Sequence, residues 1–106
     1  MSTQAFVDGV EVAWRPGCPF CMKLRTQIRL RGIATTDFDI WSDPSAAERV
    51  RQVTGGDETV PTVFVGTESM VNPSIKQVVA AMERQLPGRT DLMRKPGLLA
   101  RIRGRG

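Results

Sequence analysis

The sequence predicts a small α/β domain in which a four-stranded mixed sheet carries helices on both faces, with elements in the order β-α-β-α-β-β-α. Three observations lead to it. Short β-rich runs take turns along the chain with stretches whose apolar residues recur at helical spacing. Proline or glycine punctuates almost every junction between them. A chain of 106 residues with 41% hydrophobic and 25% charged side chains is of ordinary globular make-up and has room for one core, not two.

Residues 10–14, Val-Glu-Val-Ala-Trp, alternate and read as the first strand, which Arg15-Pro16-Gly17 ends. Pro19 then opens a helix at the position where its missing N–H costs nothing. Cys21, Leu24 and Ile28 form the apolar face of that helix, Arg25 and Arg29 a basic one, and Gly32 closes it. A second strand is expected over residues 35–40, with Phe38 and Ile40 on one face. Asp43-Pro44-Ser45 starts the second helix: either Asp43 caps it with Pro44 at the first position, or Ser45 and Glu48 form a capping box. Ala46, Ala47, Val50 and Val53 are its apolar residues and Gly55-Gly56 its stop. Residues 61–65 make a third strand, Gly66-Thr67 a hairpin turn, and residues 69–71 a short fourth strand. Asn72-Pro73-Ser74 starts the last helix, with Ile75, Val78, Val79, Met82 and Leu86 as its buried stripe. The first two strands, joined through a helix, should run parallel with a right-handed crossover.

The chain holds 15 Lys and Arg against 11 Asp and Glu, a net charge of +4, and its sequence pI is about 9.8. Such an excess raises nucleic acid or an anionic surface as a partner, but it is not evenly spread. Residues 87–106 hold Arg89, Arg94, Lys95, Arg101, Arg103 and Arg105 against Asp91 alone, and the rest of the chain is near neutral. The domain is therefore placed at residues 1–86, and residues 87–106 are read as a flexible basic tail. No run approaches the roughly 18 to 20 apolar residues of a membrane span. The first residues do not read as a secretory signal, so the expected setting is the reducing cytoplasm. There is no histidine, which excludes Ser-His-Asp and Cys-His machinery and any histidine metal ligand.

The chemistry rests on Cys18-Pro19-Phe20-Cys21, set between a strand and a proline-started helix. Residues three apart in a first helical turn have Cα atoms about 5 Å apart, inside the span of about 4.4–6.8 Å that a disulfide tolerates. The pair can therefore close and open a bond with little backbone movement. Cys18 precedes the first turn, where unpaired N–H groups and the helix dipole favour a thiolate. Cys21 lies inside the helix on its inner face, where a thiol keeps its proton. The asymmetry assigns attack to Cys18 and resolution to Cys21. Arg15 adds positive charge for the thiolate or for an anionic thiol substrate. A purely structural disulfide would gain only about 2 kcal/mol from so small a loop. A zinc site would need a second Cys/His pair, so no metal is assigned.

At these residues the chain resembles the glutaredoxin branch of the thioredoxin-fold family. The marks are Trp14-Arg15-Pro16-Gly17-Cys18-Pro19-Phe20-Cys21 and Thr59-Val60-Pro61-Thr62-Val63-Phe64, together with the element order, over about residues 9–86. Within that branch it is most similar to the actinobacterial mycoredoxins, where Asp39-Ile40-Trp41 and Asn72-Pro73-Ser74 have counterparts. The resemblance implies a thioredoxin-like fold, a cis bond before Pro61, and Val60 offering its backbone N–H and C=O to the substrate sulfur. Taken alone, Val60-Pro61 reads as an ordinary trans proline starting a strand. Glutathione-using members carry a Gly-Gly-x-Asp pattern before the last helix. This chain has Val71-Asn72-Pro73-Ser74 there, which suits the sugar and inositol hydroxyls of mycothiol better. Asn72 and Ser74 either bind such groups or simply cap the helix. Arg15 replaces the usual lysine, Phe20 is expected in the substrate groove with Pro19, Thr59, Val60, Pro61 and Pro73 around it, and Trp41 is expected to pack against the sheet edge.

The resemblance implies a monomeric thiol–disulfide oxidoreductase that reduces mixed disulfides between mycothiol (or glutathione) and proteins, with no tightly bound cofactor. Its partners would be mycothiol, mycothiolated or disulfide-bonded proteins and a thiol reductase. The nearest alternative is an electron donor to ribonucleotide reductase or another disulfide enzyme, recycled by thioredoxin reductase. A third is an iron–sulfur cluster bridging two copies through Cys18. A binding module whose basic tail docks on nucleic acid or a membrane is the alternative from another class.

Overall fold

The structure is a computed structural model that describes residues 7–88; the expected basic tail, from Arg89 on, lies outside the described residues. Seven elements follow in the expected order: β1 (Val7–Trp14), α1 (Pro19–Leu30), β2 (Thr36–Asp39), α2 (Pro44–Thr54), β3 (Thr62–Gly66), β4 (Glu68–Val71) and α3 (Ile75–Gln85). The sheet order is β2-β1-β3-β4. β1 and β2 are parallel, and the other two pairs are antiparallel.

Each helix starts where its own residues satisfy the first free N–H groups. Asp43 caps α2, accepting from the N–H of Ser45 and Ala46, with Pro44 at the first position; of the two starts open in the sequence, this is the one formed. Gly55 ends α2 in the left-handed region at φ +83°. Ser74 caps α3 in a reciprocal box, its hydroxyl accepting from Gln77 N–H and its own N–H donating to Gln77 Oε1 at 2.8 Å. The cap of α1 is Cys18 itself, whose sulfur accepts from the N–H of Cys21.

The sheet alternates between two apolar layers, as period-two side chains require. Val10 and Val12 of β1 and Val63 and Val65 of β3 meet Leu24 and Ile28 of α1 and Val78 and Ala81 of α3. Ala13 and Phe64, on the opposite face, meet Ala46, Ala47 and Val50 of α2, with Ile40, Cys18, Cys21 and Val60. Helices thus cover both faces.

Several details depart from the expectation. β1 starts at Val7, which pairs with Gly66 across an irregularity that Gly9 permits at φ +137°. β3 starts at Thr62, because Pro61 has no N–H to give to a ladder. The innermost residues of α3 are Val78 and Ala81; Ala81 was not in the expected stripe, of which Ile75, Val79 and Met82 are only partly buried. On the basic face of α1, Arg29 is exposed, and Arg25 lies 4.1 Å over the Trp14 ring and bonds Asp37 at 3.1 Å. Trp41 does not pack against the sheet edge. It is 65% exposed, because Ile40 beside it takes the buried place.

Candidate active site

Parallel and antiparallel strands bring one end of the sheet together from four distant segments. Trp14 pairs with Asp39, Ala13 with Thr62, and Thr62 with Val71. The residues just beyond these pairs therefore line one rim in sheet order. Trp41 follows β2, Arg15 to Cys18 follow β1, Val60-Pro61 precedes β3, and Asn72-Pro73-Ser74 follows β4.

Cys18 sits at the centre of that rim with extended backbone (φ −97°, ψ 107°) and 3% exposure. Its sulfur accepts the Cys21 N–H at 3.2 Å. On its other side the thiol donates to the Val60 carbonyl at 3.7 Å, a long sulfur contact. The Val60-Pro61 bond is cis, as the family likeness implies and the residues alone did not. Pro61 O in turn accepts the Asn72 N–H at 2.7 Å, which ties the start of α3 to the cis proline. Thr62, the one buried polar side chain among the described core residues, donates to Thr59 O at 2.7 Å and so holds the turn before Val60.

Cys21 is fully buried and both cysteines are free thiols. Burial, and next the hydrogen bond with Cys18, push the Cys21 thiol up to about 12, against the opposing pull of the Arg15 backbone and charge. Cys21 therefore keeps its proton and has a donor to offer the Cys18 sulfur. Arg15, half-buried, donates to Pro16 O at 3.3 Å and lies 5.5 Å from the centre of the Trp41 ring.

The remaining expected residues divide by position. Pro19 and Thr59 are exposed, Val60, Pro61 and Pro73 are buried. Phe20 is 62% exposed and, with Lys23, Leu24, Gln27, Asn72, Pro73, Ser74, Ile75 and Gln77, lines a cleft of about 310 Å³ between α1 and α3. Asn72 holds a left-handed conformation at φ +51°, tolerable for asparagine. The Ser74 hydroxyl is engaged by the helix cap. A larger apolar groove of about 520 Å³, lined by Ile33, Val79, Met82 and Leu86 among others, lies away from the cysteines. Lys23 and Gln27 beside the cleft escaped the sequence reading, and Trp41, expected against the sheet edge, stands beside Arg15 instead. Lys23 and Gln27 sit at helical spacing after Phe20, a signal that was legible; the exposure of Trp41 was not.

Known proteins resemble this chain in both sequence and fold. The glutaredoxin family model matches residues 10–70. The chain belongs to the glutaredoxin family. Two proteins of Mycobacterium tuberculosis, from strains H37Rv and CDC 1551 and each provisionally named a glutaredoxin, are 39% identical to it over 66 residues, 61% of this chain and 79% of theirs. Among solved structures, the thioredoxin-like protein BC3987 superposes with a TM-score of 0.60 at 24% identity, over 68% of this chain and 97% of its own. A buckwheat glutaredoxin–glutathione complex gives 0.53 at 22% identity, over 80% of this chain and 76% of its own. The fold is thioredoxin-like. As a glutaredoxin-family member the chain is a thiol–disulfide oxidoreductase, and among the described residues no helix is long and apolar enough to cross a membrane.

Proposed function

We propose that this glutaredoxin-family chain reduces mixed disulfides between proteins and a low-molecular-weight thiol, mycothiol in preference to glutathione, in a reducing cytoplasm. The observation that carries the reading is the Cys18 sulfur, held between the Cys21 N–H at 3.2 Å and the Val60 carbonyl at 3.7 Å. The Cys18 thiolate attacks the sulfur of the small thiol. The mixed disulfide breaks, the protein leaves as thiolate and takes up a proton, and the small thiol stays bonded to Cys18. A second thiolate of the same small thiol then attacks that bond, releasing the symmetric disulfide and restoring Cys18. In the alternative closure, Cys21 gives up its proton and attacks Cys18, freeing the small thiol and leaving the internal disulfide for a thiol reductase.

Val60 is the natural strand-like partner for the substrate backbone, and its carbonyl is released from the thiol once Cys18 ionises. Arg15 places a cation beside the reacting sulfurs. The cleft beside Phe20 has the size of a small-ligand site. Val71-Asn72-Pro73-Ser74 supplies amide and hydroxyl groups rather than the acidic capping pattern of glutathione users, which favours mycothiol. The thiol is a co-substrate and not a bound cofactor.

The test presents the reduced protein with one carrier protein loaded either with mycothiol or with glutathione, and measures release of the small thiol with each thiol as reductant. Faster turnover in the mycothiol arm is expected. Equal or faster turnover with glutathione would remove the thiol preference. Turnover with thioredoxin reductase alone, and none with either thiol, would instead establish the electron-donor role.

A further inference from the structure

We propose that Trp41, with the Arg15 guanidinium 5.5 Å from its ring centre, is the docking surface for the protein half of the mixed disulfide. The inference rests on the disulfide-reducing reading above. Disulfide exchange places three sulfurs nearly in line, so the two carbon substituents of the substrate disulfide cannot share one pocket. The rim around Cys18 has two unlike flanks. On the β4 side lies the walled cleft of about 310 Å³ beside Phe20, Asn72 and Pro73, a fit for a small thiol. On the β2 side stands the Trp41 ring, 65% exposed and 5.5 Å from the Arg15 guanidinium carbon.

An indole left in water costs free energy, and here the turn that presents it is not loose. The Asp39 carboxylate accepts the Trp41 N–H at 2.9 Å and the Ser42 hydroxyl at 3.1 Å. The Asp39 carbonyl accepts the N–H groups of Ser42 and Asp43 at 3.0 and 2.9 Å. Ile40, 4% exposed, anchors the turn in the core, and its N–H donates to Trp14 O at 2.9 Å, one residue before Arg15. The backbone that presents the ring is thus fixed on the same rim as Cys18, which lowers the ordering cost of any contact the ring makes. Tryptophan and arginine side by side are the residue types that dominate protein–protein contacts. A flat exposed ring suits a polypeptide surface; the hydroxyl-rich small thiol has the cleft.

The test varies only the leaving half of the substrate. Wild type, Trp41→Ala and Trp41→Phe are assayed on two mixed disulfides of the same small thiol, one with a carrier protein and one with 2-mercaptoethanol. For the protein substrate Trp41→Ala should raise KM about tenfold with kcat little changed, while the 2-mercaptoethanol substrate stays within about twofold and Trp41→Phe recovers most of the loss. The small substrate also reports that the variant folds. Equal losses on both substrates, or no change on the protein substrate, would overturn the proposal. Wild-type inactivity on both would refute the underlying reading, and this inference with it.

Discussion

Cys18 and Cys21 are the same residue type three positions apart, yet their surroundings differ. Cys21 is buried among Ala46, Ile40 and Phe64, and burial first, then Cys18, push its thiol up to about 12. Cys18 stands outside the helix, where the Cys21 N–H is aimed at its sulfur. Limited iodoacetamide at neutral pH should therefore label Cys18 and spare Cys21 in the folded, reduced protein, with both labelled once it is unfolded; peptide mass mapping reads the result. Cys18→Ser should abolish turnover, while Cys21→Ser should retain it if the small thiol alone closes the cycle. A Cys21→Ser variant as dead as Cys18→Ser would make the internal disulfide obligatory.

Helix starts and strand ends turn these residues into a site. The α3 start shows how a cap and a ligand contact compete for one side chain. Ser74 accepts from Gln77 N–H at 3.2 Å and donates its own N–H to Gln77 Oε1, so its first duty is structural. Ser74→Ala should cost about 1 kcal/mol in urea unfolding. If capping is its whole role, KM for the small thiol will not change; a rise in KM at unchanged kcat would show that the hydroxyl also touches the thiol. The Gly66-Thr67 turn shows a harder constraint. Gly66 has φ +59°, and a Cβ there would stand 2.5 Å from Gln85 Cβ, so the β3–β4 hairpin can seat under α3 only with glycine at this position.

The whole molecule is tied across its β4 edge by Glu68 and the end of α3. Arg84 donates to both Glu68 oxygens at 2.8 and 2.7 Å, and Gln85 Nε2 adds a third bond at 2.9 Å. The Arg84 guanidinium, then Gln85, hold the Glu68 carboxyl down to about 2 from an ordinary 4.5. The folded chain thus binds this proton more weakly than the unfolded chain. Its contribution to stability is complete above about pH 4.5 and is lost as pH falls toward 2. Glu68→Gln should flatten the acid limb of a thermal-midpoint profile over that window while leaving neutral-pH activity intact. An unchanged acid limb would show that the exposed pair is screened out.

Local chemistry made much of this legible in advance. Pro19, Asp43-Pro44 and Ser74 mark helix starts by the N–H groups they satisfy or lack, and strand alternation assigns Val10, Val12, Val63 and Val65 to one face. The spacing of Cys18 and Cys21 and their place at a helix start follow from the same rules. What the residues could not reveal depends on packing from afar. The cis state of Val60-Pro61 and its place against Cys18 are set by segments 42 positions apart meeting across β1 and β3. Trp41 is an apolar residue after a strand, a position that reads as packing until Ile40 is seen to take the interior place and Arg15 the ring. Caps, turns and periodicity act over a few residues, so the elements and the spacing of Cys18 and Cys21 are written locally. What surrounds those two sulfurs belongs to the fold, because the rim is assembled from four strand ends whose order in the sheet no local stretch carries.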